Sequence, residues 1–453
     1  TRSLFTNNYT PIPVTAAIPV EKLIIGNPRP AGEQETFTFE ITAVAGAPMP
    51  AANTVTITDV GTAAFGAISY TAAGTYRYTV KERAGTKSAY TYANTVANVE
   101  VTVTDVNGAL TSSWEADGVA GGKATFTNRY TPAPAGLKLP VTKAITGNDR
   151  PAAKETFRFK LVPQAGAPMP ASDTVTITDA GDALFGEITF PAAGVYTYTL
   201  SEVAGSKPGY TYDNATHTIK VTVTDTQGVL STTWTSDDAA ATSVVFTNNY
   251  TPAPTSLVLP VRKAITGNPR PAGNLETFTF TLEAQGGAPM PASATVSITD
   301  AGNASFPAIS FTKAGTFTYT LRENAGNKPG YGYDAAAHTI VATVTDVNGA
   351  LNVTWTDNGN PGGNVTFTNT YDPQKATVNF PVKKVVTGND RPAQKTFSFK
   401  LVPVAGAPMP ASDTVTITDA GEASFATINF PAAGVYEYTL TETPGAEPGY
   451  TYD

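Results

Sequence analysis

Cysteine is absent from the 453 residues. That excludes a disulfide framework, a thiolate metal site and a cysteine nucleophile. Histidine is almost absent: His217 and His338 are the only two. They occupy matching positions of two repeats where a third carries Ala97, so they read as exposed strand residues, and no His-based metal or catalytic site is expected. Charge is sparse, with 29 basic and 37 acidic residues, a net −8. A mildly acidic chain without a basic stripe is poorly suited to nucleic acid or an anionic membrane. There is no hydrophobic run long enough to span a membrane, no signal segment and no sorting tail, and the sequence opens at Thr1 without an initiator Met. The expectation is a window of a longer protein whose targeting signals lie outside it.

What is abundant is Thr, Val, Ala, Tyr, Phe, Gly and Pro, the composition of short strands joined by tight turns. A long repeat organises them. GNPRPAG (26–32), GNDRPAA (147–153), GNPRPAG (267–273) and GNDRPAQ (388–394) recur at intervals of 120 or 121 residues. Each is followed by GAPMPA, by V-[TS]-I-T-D and by a Tyr/Phe-rich segment, and the first three also by T-D-x-x-G. This period exceeds that of solenoid repeats and suits one folded domain per repeat. The expected division is 1–13, the last strand of a preceding repeat; 14–133, 134–253 and 254–374, three complete repeats; and 375–453, an incomplete one. The joints TPAPAG (131–136), TPAPTS (251–256) and YDPQKA (371–376) are Pro-containing and should be semi-rigid.

Within a repeat the apolar residues alternate and show no helical period. In the second repeat, strands are predicted at 137–146, 155–162, 173–178, 184–190, 194–202, 217–225, 229–236 and 243–250. T-D-x-x-G reads as a hairpin turn, since too few carboxylates accompany it for a calcium loop. The predicted fold is all-β: tandem immunoglobulin-like β-sandwich domains, strung out as an elongated rod.

Side-chain parity then isolates three polar residues per repeat, because successive strand residues face opposite ways. Lys143 shares a face with Leu139, Val141 and Ile145. Lys22, Lys263 and Lys384 sit equivalently. Glu202 shares a face with Tyr196, Tyr198 and Leu200, and Glu82, Glu323 and Glu442 repeat the arrangement. F-T-N-x-Y closes each complete repeat, placing Asn128, Asn248 and Asn369 beside inward aromatics while its variable fourth residue faces out. Lys to Glu spans 60, 59, 60 and 58 residues; Glu to Asn spans 46 in every complete copy.

Burying Lys and Glu repeatedly demands a reason, since an unpaired buried charge is costly. Two readings fit. One is a buried Lys–Glu ion pair carrying an Asn hydrogen bond. The other is chemical: an apolar site favours neutral Lys, a nucleophile, and neutral Glu, a proton carrier. A Lys amine held against an Asn carboxamide can displace ammonia and leave an isopeptide bond.

P-V-x-K, Y-[TR]-Y-T-[VL]-x-E (Phe317-Thr318-Tyr319 in the third copy) and F-T-N-x-Y together resemble Gram-positive pilin isopeptide-linkage domains of the streptococcal FctA-like type. TLSEVAGSKPGY (199–210) is also similar to B-type collagen-adhesin domains, a second kinship. The resemblance implies bonds Lys22–Asn128, Lys143–Asn248 and Lys263–Asn369, assisted by Glu82, Glu202 and Glu323. Asn7, Lys384 and Glu442 are left unpaired. It implies no cofactor, and a first and last strand lying parallel. The sequence departs from pilus backbone subunits in lacking a linking Lys motif and a C-terminal sorting signal; LPVTK (139–143) reads as strand. The functional expectation is an extracellular stalk or fibre on a Gram-positive cell surface, its partners being its own neighbouring repeats and, through a tip outside the window, a host surface or other cells. The alternative is a multivalent binding module that uses loops such as GAPMPA. An enzyme acting on external substrates is not expected, and Trp114, Trp234 and Trp355 read as packing.

Overall fold

The computed structural model describes residues 2–273, 275–391 and 394–453. Thr1, and Pro392 and Ala393 of the fourth GNDRPAQ motif, lie outside them. Among the described residues there are strands and no α-helix, and the protein is an all-β array of tandem sandwich domains. By compactness the chain divides into one unit of residues 1–147, 152–206 and 211–249, and another of 148–151, 207–210 and 250–453.

The first repeat shows the plan. Six strands form one sheet, in the order 119–120, 109–116, 96–106, 74–82, 36–43 and 54–58. Four form the facing sheet, in the order 61–64, 19–26, 124–130 and 90–91. Val20, Phe39, Tyr78, Val101 and Phe126 fill the core between them. The opening strand Pro19–Gly26 and the closing strand Ala124–Tyr130 are neighbours and run parallel, with Val20 opposite Ala124 and Lys22 opposite Phe126. The third repeat pairs Lys263 with Phe367 in the same parallel way. Strict alternation of burial along Ala124–Tyr130 and Val244–Tyr250 follows from the pleat, which turns every second side chain to the core.

The hairpins are set by local chemistry. Asn107–Gly108, Gln227–Gly228 and Asn348–Gly349 all have positive φ, the requirement of a two-residue turn that matches strand twist. The preceding Asp accepts a hydrogen bond from the Gly N–H at 2.9 Å in each. T-D-x-x-G is therefore a turn. In the first unit, Tyr130 at the end of F-T-N-R-Y donates to Asp225 of the next such turn (2.8 Å); in the second, Tyr250 donates to Asp346 (2.6 Å). Two of the Pro-containing joints add a bridge, Ala133 to Val229 and Ala253 to Ala350.

Two predicted strands need correction. The strand predicted at 137–146 is two, Ala135–Leu137 and Pro140–Gly147, and that at 184–190 is Gly181–Leu184 and Ile188–Phe190. Pro140 has no N–H to continue a ladder, and Phe185 N–H bonds across to the Leu139 carbonyl at the break. The short strand Tyr210–Thr211 went unseen, since two residues carry no periodicity. Residues 2–11 carry no strand, and Ile12 bridges to Ala109.

Gly26 and Gly267 end the opening strands of the first and third repeats with φ near +100°. A Cβ on either would collide with the carbonyl oxygen of Tyr130 or Tyr371 on the closing strand. Gly26→Ala and Gly267→Ala should each lower the unfolding free energy of their repeat by about 1–3 kcal/mol. Gly46, at φ +75° with open space around it, should cost less when changed to Ala. Denaturant unfolding of the three variants checks the order.

Candidate functional site: a buried Lys, Glu and Asn in each repeat

Tyrosine apart, the buried polar and charged side chains among the described residues are nine: Lys22, Glu82, Asn128, Lys143, Glu202, Asn248, Lys263, Glu323 and Asn369. They form three clusters of identical plan. Lys and Asn come from the adjacent opening and closing strands of one sheet; Glu comes from the facing sheet, where Glu82 lies opposite Phe39, Glu202 opposite Phe159 and Glu323 opposite Phe280. Each cluster thus ties the two layers together through polar atoms in an otherwise apolar core.

The Glu carboxylate is the hub. One oxygen accepts from Lys Nζ at 2.7, 2.7 and 2.6 Å in the three repeats. The other accepts from Asn Nδ2 at 2.6, 2.8 and 2.7 Å. Lys and Glu side chains have no exposure at any of the three pairs. Each Lys Nζ also stands 4.5–4.8 Å from the centre of a phenyl ring, Phe37, Phe157 or Phe278. A second Phe pair, such as Phe39 and Phe126 at 5.2 Å, packs beside it.

Desolvation holds Lys22, Lys143 and Lys263 below the usual lysine range, against the opposing pull of the Glu partner. Burial thus shifts the balance toward the free amine, the form that is nucleophilic. Asn Oδ1 is not idle: it accepts from the backbone N–H of residue 93, 213 or 334, each at 2.7 Å. Carboxamide, carboxylate and amine are thereby fixed in one chain of hydrogen bonds.

The remaining sequence candidates lie elsewhere. Asn7 is exposed. Lys384 donates to Glu442 at 2.6 Å in a more open setting, with no Asn on them. His217 and His338 are half-buried rather than exposed: their rings lie edge-on against Phe246 and Phe367, and their Nδ1 atoms bond Asp237 and Asp357. Both are held by the hairpin opposite, a contact that strand parity alone does not reveal. No group of three or more His, Cys, Asp or Glu among the described residues is placed to hold a metal ion. Trp114 packs on the core with its Nε1 on the Gly122 carbonyl. Sequence reasoning missed the backbone donors at 93, 213 and 334 and the Lys-facing Phe rings. The repeated AYTYA, GYTYD and GYGYD segments were the available signal for the donors.

The family described as FctA, a Spy0128-like isopeptide-containing domain, matches residues 18–131, 139–251, 259–372 and 380–453. The major pilin of Streptococcus pyogenes is 18% identical over 52% of this chain and 99% of its own, with a TM-score of 0.25. Two B repeat units of the collagen-binding protein of Staphylococcus aureus are 18% identical over 97% of this chain and 95% of theirs, with a TM-score of 0.21. The pilus adhesin SpaC of Lactobacillus rhamnosus GG is 15% identical over 79% and 43%, with a TM-score of 0.16. No curated protein matches. Four successive matches along the chain, three of them carrying the complete Lys–Glu–Asn cluster, place this protein in the family of Spy0128-like isopeptide-containing domains.

Proposed function

We propose that the three complete repeats close the amide bonds Lys22–Asn128, Lys143–Asn248 and Lys263–Asn369, with Glu82, Glu202 and Glu323 carrying the protons, and that the chain is a structural stalk or fibre of a Gram-positive cell-surface adhesin or pilus. The observation that carries this reading is that, tyrosine apart, the nine buried polar and charged side chains among the described residues all belong to three clusters of one plan. The reaction needs only what each cluster holds. The Lys amine attacks Asn Cγ, its proton passes through the Glu carboxyl to Asn Nδ2, and ammonia leaves. The chemistry is single-turnover and self-directed, so the protein is not an enzyme toward other substrates.

The position of the bond suits a load-bearing element. Opening and closing strands are parallel neighbours, so the chain enters a sandwich at one end and leaves at the other. Tension would cross from one strand to the other through the bond, bypassing the residues between. As a loop closure of 105 residues in the second repeat, the bond stabilises by about 4–5 kcal/mol on the chain-entropy model, and reductants do not break it. Tyr130–Asp225 and Tyr250–Asp346 stiffen the joints.

The GAPMPA loops are tied to the core in the same way in every repeat. In the four repeats Tyr78, Tyr198, Tyr319 and Tyr438 donate to the first Pro carbonyl of the loop at 2.6–2.8 Å. That favours the stalk over a binding array.

Two measurements test the proposal. The denatured wild-type chain should weigh less than its sequence by three molecules of ammonia, and the chain carrying Glu82→Ala, Glu202→Ala and Glu323→Ala should show the full sequence mass. An unmodified wild-type mass would leave the ion-pair reading in place. Under force, single molecules should show no unfolding extension from the three complete repeats, and should regain one extension event per repeat whose Glu is replaced by Ala.

A further inference from the structure

The Asn carboxamide oxygen is held in every complete repeat by one backbone N–H, but the first repeat seats that N–H differently from the other two. In the second, Asp213 supplies the donor, and its own carboxylate is clamped. Oδ1 accepts from Ala215 N–H at 2.9 Å, and Oδ2 accepts from Thr247 N–H at 2.7 Å, one residue before Asn248. The third repeat copies this: Asp334 bonds Ala336 N–H at 2.9 Å and Thr368 N–H at 2.7 Å, next to Asn369. The first repeat has Ala93 at this position. It keeps the donor at 2.7 Å but has no side chain to tie the donor segment to the closing strand.

We infer that the backbone N–H of residues 93, 213 and 334 is the oxyanion donor for bond formation, and that Asp213 and Asp334 are positioning residues that fix it against the closing strand, so that the first repeat closes its bond most slowly. This rests on the isopeptide reading above. When Lys Nζ attacks Asn Cγ, the N–C bond forms and the carbonyl electron pair moves onto Oδ1. The N–H already points at that oxygen, so charge develops where a donor waits. The Nζ proton passes by way of the Glu carboxyl to Nδ2, the Cγ–Nδ2 bond breaks, ammonia departs and the carbonyl re-forms. The leaving and attacking groups are both on Glu oxygens; the oxyanion is the one charge Glu does not serve, and the backbone N–H serves it. Asp213 does not touch the reacting carbon. It acts by bridging the donor segment to the residue preceding Asn248, which fixes donor and acceptor relative to each other.

The test follows the full chain during cell-free synthesis, with samples quenched over time, digested, and the three cross-linked peptides quantified separately by mass spectrometry. In Asp213→Ala the 143–248 link should form about tenfold more slowly, short of the ~10²–10³ that loss of an oxyanion donor itself costs. The 263–369 link in the same molecules should keep its rate. Ala93→Asp should speed the 22–128 link. Protease protection of the second repeat, compared between Glu202→Ala and Glu202→Ala/Asp213→Ala, separates folding from chemistry, because neither chain links there. Equal protection with a slowed link supports the inference. A 143–248 link at wild-type rate in Asp213→Ala, a 22–128 link no faster in Ala93→Asp, or a loss of protection that matches the slowed link would each overturn it. Wild-type chains without any linked peptide would instead remove the isopeptide reading itself, before a variant is compared.

Discussion

A lysine sealed from water between two sheets is the constraint from which the rest of this protein is arranged. An ammonium group in an apolar core is unstable unless it finds a counter-charge or gives up its proton. Here it is offered both. Glu82, Glu202 and Glu323 reach it from the facing sheet, and burial holds the amine below its usual range. The same carboxylate also carries an Asn Nδ2, so the group that satisfies the Lys also brings it to a carboxamide. Satisfying the buried charge and gathering amine, carboxylate and carboxamide are one arrangement.

That arrangement depends on the parallel neighbours at the start and end of each repeat. If the closing strand slipped by one residue, Asn128 would turn outward and the exposed Arg129 or Thr127 would take its inward place. Register is held by the aromatics on either side of the Asn: Phe126 packs on Phe39, and Tyr130 packs on Tyr90 while its hydroxyl reaches Asp225. The recurring Phe, Asn and Tyr of F-T-N-x-Y thus have separate duties, in the core, at the carboxylate and at the joint. The fourth residue has none of these and varies.

Much of this is legible along the chain. The repeat period, the T-D-x-x-G turns and the alternation that turns Lys143, Glu202 and Asn248 toward apolar neighbours all depend on residues close in sequence. Legibility fails where pairing partners are distant. The jog between Leu137 and Pro140 exists because of a bond from Phe185 N–H to Leu139 O. His217 looked like a surface residue until the neighbouring hairpin brought Asp237 to it. The donors at residues 93, 213 and 334 are backbone atoms; the repeated AYTYA, GYTYD and GYGYD segments mark where they lie, but not that their N–H groups aim at a carboxamide.

The sequence by itself determined that the complete repeats are β-sandwiches and that Lys143, Glu202, Asn248 and their equivalents turn toward the core, because pleat parity and turn chemistry are local. Only the tertiary structure decided that Lys and Asn stand on neighbouring strands of one sheet with Glu reaching across from the other, and that a loop N–H completes the site. Those choices follow from strand order and register, which are set by how some hundred residues pack around a common core, and a one-dimensional pattern carries no distance between its ends.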